Sequence, residues 1–141
     1  AARLGSETDL AVIDTIFAKM EAAQATRSGR EEAALDAEFH MAIVEAGHNV
    51  IMLHMMRSIY DLLRQGVFYN RQTMFRQRTT RAALLAQHRA INDALQARDA
   101  EGARAAVAAH MDYVEQALRD QRRAERNEAV ARQRLAQETE R

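Results

Sequence analysis

Apolar residues recur every three or four positions along most of the chain, which is the spacing of amphipathic helices. The apolar row of the first such stretch consists of Leu10, Ile13, Ile16, Phe17 and Met20. Ser6 followed by Asp9 resembles a capping signal just ahead of this row. The pattern predicts a first helix that continues to about Thr26.

Two further helices are predicted in the middle of the chain. Residues 31–46 carry the row Leu35, Phe39 and Ile43, and Gly47 marks the expected end of that helix. Asn49 has the character of an N-cap for a third helix over roughly residues 50–75. One apolar stripe of the third helix is predicted as core: Met52, Met56, Ile59 and Leu63. A neighbouring stripe is mixed: Leu53, Arg57, Tyr60, Arg64, Val67 and Arg71.

Histidines interrupt the apolar rows of the last two predicted helices. After the polar segment "RQRTT", with a cap expected at Thr79 or Thr80, the fourth helix runs to about Arg98. Its inward row is Leu84, His88, Ile91 and Leu95. Asp99 is the expected cap of the fifth helix, and the inward row of that helix is Ala103, Val107, His110 and Val114. Two separate helices therefore each turn an imidazole toward the predicted core.

The composition favours an all-α fold. Proline is missing from the sequence, and Ala, Leu, Glu, Gln and Arg are abundant, so long unbroken helices are favoured over sheet. Five helices with short connections, and the end of another helix in residues 1–4, predict an antiparallel helical bundle of about six helices. A chain of 141 residues has room for one such domain. From residue 119 to residue 141 the sequence is charged nearly all round, and this stretch is expected to extend the last helix or to form a tail.

Charge and cysteine content exclude several classes of site. Lys and Arg together number 20, as do Asp and Glu, so the net charge is zero and direct nucleic-acid binding by this chain is disfavoured. Because there is no cysteine, any metal site must use His, Asp or Glu. The sequence contains no apolar run of about 18 to 20 residues and opens on no charged-then-apolar leader, so a cytoplasmic protein is expected.

The stretch "DAEFHMAIVEAGHN", residues 36–49, carries the first half of a candidate metal site. Asp36 and His40 lie one helical turn apart, so both side chains can reach one ion. His88 and His110 lie on the inward rows of two other helices, and packing three helices together would bring all four groups to one interior point. Taken singly, each histidine has the alternative reading of a core residue satisfied by hydrogen bonds. The expected convergence of the three histidines and Asp36 on one interior point favours a metal site over separate core histidines.

The remaining histidines are left out of the predicted site. His48 lies at a helix break, where a capping role is sufficient, and His54 falls beside the core row rather than on it. One carboxylate and three imidazoles suit a divalent ion such as Zn, Ni or Mn, and Co or Fe also remain open. A divalent ion with one carboxylate leaves a net positive centre, which attracts a small anion such as a carboxylate effector.

The motifs around these residues resemble a known family. Asp36 and His40, then "EAGHNVIM", then "QHRAINDALQARDAEGARAAVAAHM" with His88 and His110, closely resemble the FCD effector-binding domain. This domain belongs to the FadR subfamily of GntR-type bacterial transcription regulators. The resemblance covers about residues 6–118. The segments "FHMAIVEAGHNVIMLHMMRSIYDLL" and "NRQTMF" look most like the lactate-responsive repressor branch.

The resemblance implies a helical bundle with a metal held by Asp36, His40, His88 and His110. It implies a small carboxylate effector, such as lactate, pyruvate or glycolate, a homodimer, and control of an operator by an N-terminal winged helix-turn-helix domain. By the same resemblance, the DNA-binding domain and most of the first effector-domain helix are expected to lie outside these 141 residues. Residues 1–118 are accordingly expected to form the effector-binding domain. Arg57 and Arg64 are second-rank candidates for binding the effector carboxylate, against the alternative of a solvated or dimer-facing stripe.

Two alternatives come from other classes of protein. An enzyme is disfavoured because a ferritin-like di-metal site needs two Glu-x-x-His pairs, whereas only Glu45 to His48 fits that spacing. A hydrolase would need a general base, and no spare Glu falls on the inward rows near His88 or His110. The stronger rival is a structural or dimerisation module that is stapled by a metal and binds no small-molecule effector.

Overall fold

The computed structural model describes residues 1–26, 29–60 and 78–139. These residues form five helices and contain no strand, which confirms the prediction of an all-α fold. The helices are α1 (Glu7–Thr26), α2 (Gly29–Glu45), α3 (residues 50–60, up to the second gap), α4 (Arg78–Gln96) and α5 (Ala100–Thr139). The count differs slightly from the expected six. Ahead of α1, the chain forms one turn in which the N–H groups of Leu4 and Gly5 donate to the carbonyl of Ala1.

The N-terminus of α1 is closed by a reciprocal capping pair. The Ser6 hydroxyl oxygen accepts the N–H of Asp9 at 3.1 Å, and Asp9 Oδ2 accepts the N–H of Ser6 at 2.8 Å. Hydrogen bonds from the hydroxyl and the N–H of Ser6, together with a contact from His48, lower the pKa of Asp9 from 3.8 to about 2. Asp9 therefore stays ionised at a helix end where the helix dipole favours negative charge. The predicted capping signal is confirmed.

The other predicted caps have mixed outcomes. Asn49 Oδ1 accepts the N–H of Met52 at 3.0 Å at the start of α3, and Asp99 Oδ1 accepts the N–H of Gly102 at 2.9 Å at the start of α5. Both of these caps were predicted. The cap expected at Thr79 or Thr80 is wrong, because α4 already includes Arg78. The polar character of "RQRTT" signalled a boundary but could not fix the residue at which the helix begins.

The turn after α2 differs from the one predicted. The helix ends at Glu45, and Gly47 does not supply the left-handed residue that commonly follows a helix. His48 adopts that conformation instead, with φ of 50°. Its Nε2 lies 2.9 Å from Asp9 Oδ2, so the side chain links this corner to the N-terminus of α1. The contact offsets part of the backbone cost of about 1 to 2 kcal/mol for a left-handed residue with a Cβ.

Helices α1 and α4 run antiparallel to each other. Gln96 donates to the carbonyl of Leu10 at 2.9 Å, and Asn92 donates to Asp14 at 2.8 Å. Further along α1, Gln24 provides a carbonyl that accepts a hydrogen bond from Arg81 at 3.1 Å, near the start of α4. Residue numbers thus increase along α1 where they decrease along α4, as antiparallel packing requires. The polar contacts hold the register of two helices that bury apolar side chains between them.

Most buried apolar side chains come from α1, α2 and α4. The largest of them are Phe39, Ile13 and Ile91, which are all fully buried. Burying each such side chain stabilises the fold by about 1.5 to 3 kcal/mol. The core of the described residues also includes Leu10, Phe17, Met20, Leu35, Leu84 and Leu95. The apolar rows predicted for the first, second and fourth helices therefore identify the residues that pack.

The predicted core stripe of α3 is wrong for Met52 and Ile59, whereas Met56 is partly buried. Met52 is 47% exposed and Ile59 is 41% exposed, and Val50, Ile51 and Met55 are more exposed than Ile59. Leu63, the last member of the predicted stripe, lies outside the described residues. A periodic apolar pattern shows that a helix has an apolar face, but it does not show that another part of the same chain covers that face.

The chain divides into two compact units, Ala1–His110 and Met111–Arg141. Within the second unit, α5 continues as a helix to Thr139 with almost every side chain exposed. Its surface carries pairs of opposite charge one turn apart, such as Arg132 with Glu128 at 3.0 Å. Such exposed pairs each add about 0.3 to 0.5 kcal/mol to a helix. Over the described ranges, no helix has both the length and the apolar character needed to cross a membrane.

Candidate metal centre

Three helices of the first unit place four ligand-type side chains around one interior point. Asp36 and His40 lie one turn apart on α2, His88 lies on α4, and His110 lies on α5. One ligand-type atom from each residue can be chosen so that all four atoms lie within 4.8 Å of one another. Asp36, His88 and His110 are each at least 97% buried, and His40 is partly exposed. The predicted convergence of these side chains is therefore present in the fold.

The spacing of the donor atoms fits the coordination sphere of one ion. His88 Nε2 lies 2.9 Å from Asp36 Oδ1 and 3.2 Å from His40 Nε2, and the His40 and Asp36 atoms are 3.7 Å apart. Two donors that each bind an ion at about 2.1 Å lie about 3.0 to 3.4 Å apart at tetrahedral or octahedral angles. These four residues could hold a divalent metal ion.

Hydrogen bonds alone leave part of this cluster unsatisfied. Nδ1 of His88 is buried and has no hydrogen-bond partner among the described residues. An unsatisfied buried polar group costs about 1 to 3 kcal/mol. If both rings carry their proton on Nδ1, the lone pairs of His88 Nε2 and His40 Nε2 and the Asp36 carboxylate face one another, and a shared cation would offset their repulsion. The donor set therefore fits a divalent metal ion.

Phe39 supports the cluster from the core side. The side chain is fully buried, and its ring centroid lies 5.8 Å from that of His40 and 5.4 Å from that of His88, both at edge-to-face angles. On its other side Phe39 meets Phe17 of α1 at 6.2 Å. One aromatic ring therefore packs against residues of three helices and restricts the rotamers of two imidazoles.

Comparison with known proteins identifies the family of this chain. The sequence profile of the FCD domain matches residues 1–113, which contain all four side chains of the cluster. The chain belongs to the FCD domain family. The resemblance seen in the sequence motifs is thereby confirmed.

Three relatives are similar to this chain over part of their length. The "Putative L-lactate dehydrogenase operon regulatory protein" of Escherichia coli (strain K12) is 43% identical over 79 residues, which are 56% of this chain and 31% of the relative. The "Glc operon transcriptional activator" of the same organism is 32% identical over 123 residues, 85% of this chain and 48% of the relative. The "HTH-type transcriptional regulator LutR" of Bacillus subtilis (strain 168) is 30% identical over 119 residues, 84% of this chain and 53% of the relative.

The printed names of these FCD relatives describe regulators of transcription rather than enzymes. This agrees with the expectation that the chain is not an enzyme. The chain spans between about a third and about half of the length of the relatives it matches.

Residues outside the cluster have other surroundings in this FCD chain. Arg57 is exposed and its Nη2 lies 3.1 Å from Glu45 Oε1, an ion pair between α3 and α2. Arg64 lies outside the described residues. The role of both arginines in effector binding stays a prediction. His48 contacts Asp9 as described above, and His54 is exposed on α3. Neither belongs to the group of four.

Sequence reasoning missed Gln87, which orients one of the imidazoles. Its Oε1 lies 2.9 Å from His110 Nδ1. Because an amide oxygen only accepts, this contact places the proton of the neutral His110 ring on Nδ1 and leaves Nε2 with a lone pair for the ion. The signal in the sequence was weak, since a Gln beside an inward-facing His is also common on a solvated helix edge.

Replacing Gln87 by leucine is expected to weaken metal binding by about 10- to 100-fold, because the ring loses the acceptor that fixes its tautomer and orientation. Competition with a chromogenic chelator measures this affinity. Gln87→Glu keeps an acceptor and should retain tight binding, while Gln116→Leu on the exposed part of α5 serves as the matched control. Equal metal affinity in Gln87→Leu and Gln116→Leu would remove this role from Gln87.

Proposed function

We propose that this chain is the ligand-sensing, metal-binding part of a GntR/FadR-type transcription regulator. The observation that carries the proposal is the convergence of Asp36, His40, His88 and His110 within 4.8 Å in the interior of an FCD fold. In this proposal residues 1–118 form the effector-binding domain, and residues 119–141 form a charged C-terminal extension.

The four side chains would bind a divalent ion, with Zn, Ni or Mn as the leading candidates for this set of ligands. When bound, the ion supplies a positive centre that attracts carboxylate oxygens. Asp36 provides one negative charge, so a divalent ion with neutral histidines keeps one net positive charge in a buried site. A small organic anion is the ligand class that this charge favours.

The proposed effector is a small carboxylate such as lactate, pyruvate or glycolate. The supporting observation is similarity: one relative is named for the operon of L-lactate dehydrogenase and another for the Glc operon. In this proposal the acid binds beside the ion, within the bundle formed by α1, α2, α4 and the first turns of α5.

The output would be control of DNA binding by a winged helix-turn-helix domain in a cytoplasmic homodimer. The relatives' names refer to transcription regulators, one of them of HTH type, whereas this chain has no excess of basic residues with which to bind DNA itself. Coupling requires that the acid bind one dimer arrangement more tightly than the other. Binding at the cluster would bias the packing of α2, α4 and α5, and through them that arrangement.

The test measures metal content and thermal unfolding together. The purified chain is expected to carry about one equivalent of a divalent metal by mass spectrometry, and stripping it with a chelator should lower the melting temperature. An acid present at about 100 times its dissociation constant stabilises the folded chain by about 2.7 kcal/mol, which corresponds to roughly 5 to 10 °C. Lactate, pyruvate and glycolate are each added to the metal-loaded chain.

The same experiment separates the sensor from a metal-stapled structural or dimerisation module. A module of that kind would lose stability on chelation but would show no shift with any of the three acids. Bound metal without an acid-dependent shift would therefore contradict the sensor. A chain that binds no divalent metal would contradict both candidates.

A further inference from the structure

The four candidate metal ligands differ in how far solvent reaches them. The His40 side chain is 23% exposed, whereas the side chains of Asp36 and His88 are 5% and 1% exposed. His110 is 3% exposed. Of these four groups, His40 is therefore the one that a molecule in solution can contact while the helices stay packed.

Packing encloses the other three ligands. The buried ring of Phe39 lies edge-to-face against His88, with 5.4 Å between the ring centroids. Gln87 contacts His110 Nδ1 at 2.9 Å, and Asp36 Oδ1 lies 2.9 Å from His88 Nε2. Each of these contacts would have to break before an incoming group could reach the ligand that it covers.

A buried ion pair limits access to His88 from the start of α4. Arg81 Nε donates to Glu32 Oε2 at 2.9 Å, and Nη2 donates to the carbonyl of Gln24 at 3.1 Å. These three residues and His88 line a cavity with a volume of about 10 Å³. Such a volume holds about one water molecule. Neither a hydrated ion nor an organic acid can therefore reach His88 through this cavity while the ion pair is intact.

The surroundings of His40 on α2 are open and mostly uncharged. Side chains three or four positions apart are neighbours on a helix. The residues at these positions from His40 are Asp36, Ala37, Ile43 and Val44. Apart from the candidate ligand Asp36, none of them is charged, and the other three are partly exposed. No further carboxylate at these positions of α2 would repel an incoming acid.

We infer that His40 is the gate of the metal centre, past which the ion is loaded and released and a small acid reaches the bound ion. This inference rests on the proposed sensor function and names the side on which that site opens. An exposed side chain changes rotamer within nanoseconds, whereas a packed, buried ring moves only when its surroundings open. His40 can therefore leave the ion without separation of the helices, while Asp36, His88 and His110 form the fixed part of the site.

The first test compares the chemical reactivity of the histidines in the metal-free chain. Diethyl pyrocarbonate acylates accessible imidazoles, and peptide mass spectrometry reports each histidine separately. His40 is expected to react at least about tenfold faster than His88 and His110, which react only when the helices open. Divalent metal should protect His40, whereas His54, exposed on α3, should react equally fast with and without metal. Equal rates for His40, His88 and His110 in a chain that keeps its helical circular-dichroism signal overturn the inference.

The second test obstructs the proposed entrance in the metal-loaded chain, and it decides the question if the metal-free chain is not helical. The chain contains no cysteine, so Ala37→Cys introduces a single thiol beside His40. A bulky fluorescein maleimide on this thiol is expected to slow metal release to a chelator by about tenfold, compared with a small methylthio label, at equal metal content. Ala90→Cys, at an exposed position on α4, should release metal equally fast with either label.

The labelled Ala37→Cys variant also tests the approach of the acid. In the cobalt-loaded chain, a change in visible absorption reports the binding of L-lactate at the ion. The bulky label is expected to slow lactate association by about tenfold relative to the small label. Metal release and lactate association that are both unaffected by the bulky label overturn the gate and leave the sensor intact. A chain that binds no divalent metal overturns the proposed function and the gate together.

Discussion

Replacing His88 by alanine is expected to release the metal and to abolish metal-dependent stabilisation. His88 is 1% exposed, and its Nε2 lies within 3.2 Å of donor atoms of both Asp36 and His40. Losing this ligand leaves an incomplete set, so metal affinity should fall by at least about 100-fold. At a metal concentration of about 100 times the original dissociation constant, the stabilisation lost is about 2.3 kcal/mol for a 100-fold weaker site and about 2.7 kcal/mol for complete loss of binding. Mass spectrometry of the metal and thermal unfolding, each with and without chelator, measure the two effects.

His54→Ala is the matched control for this change. His54 is exposed on α3 and does not belong to the cluster, so this variant should retain both the metal and the response to chelator. Full metal occupancy in His88→Ala would contradict the assignment of His88 as a ligand. A chelator response of equal size in the two variants would do the same.

Replacing Phe39 by alanine is expected to lower the free energy of unfolding by about 3 to 5 kcal/mol. The ring is fully buried and contacts Phe17, His40 and His88, so truncation leaves a cavity at the meeting point of α1, α2 and α4. Because typical domains are stable by only about 5 to 15 kcal/mol, this is a large share of the total. Urea unfolding of the metal-free chain, followed by circular dichroism, measures the loss.

Two further variants show whether the loss comes from the cavity. Phe39→Leu fills part of the space and should cost less than Phe39→Ala. Val12→Ala, at a position on α1 that is 49% exposed, should change stability by no more than about 0.5 kcal/mol. A loss below about 1 kcal/mol in Phe39→Ala would mean that the surrounding helices close over the gap, and that this ring does not hold the cluster in place.

Local signals in the sequence predicted much of this fold. The caps at Ser6, Asn49 and Asp99 follow from short-range hydrogen bonds between residues three positions apart, which a sequence displays directly. The inward rows of α4 and α5 placed His88 and His110 in the interior, because helical periodicity relates a buried residue to its apolar neighbours. The convergence of the four side chains required only that these faces meet.

What could not be predicted depends on contacts between distant parts of the chain. Glu32 and Arg81 are 49 positions apart, and nothing near either residue reveals that the other will accompany it into the interior. The same holds for Gln87, whose partner His110 belongs to the next helix. The prediction that the apolar face of α3 is buried failed for a related reason. Periodicity describes a helix by itself, whereas burial depends on what packs against that helix.

The distribution of the candidate ligands along the chain has a kinetic consequence. In an unfolded chain only Asp36 and His40 are close, and they can hold an ion weakly, while His88 and His110 arrive when α4 and α5 dock. With an ion bound, separating either of these helices breaks a coordination bond in the same step. An ion bound at this site is therefore expected to slow the opening of the bundle, because opening also requires the loss of at least one coordination bond.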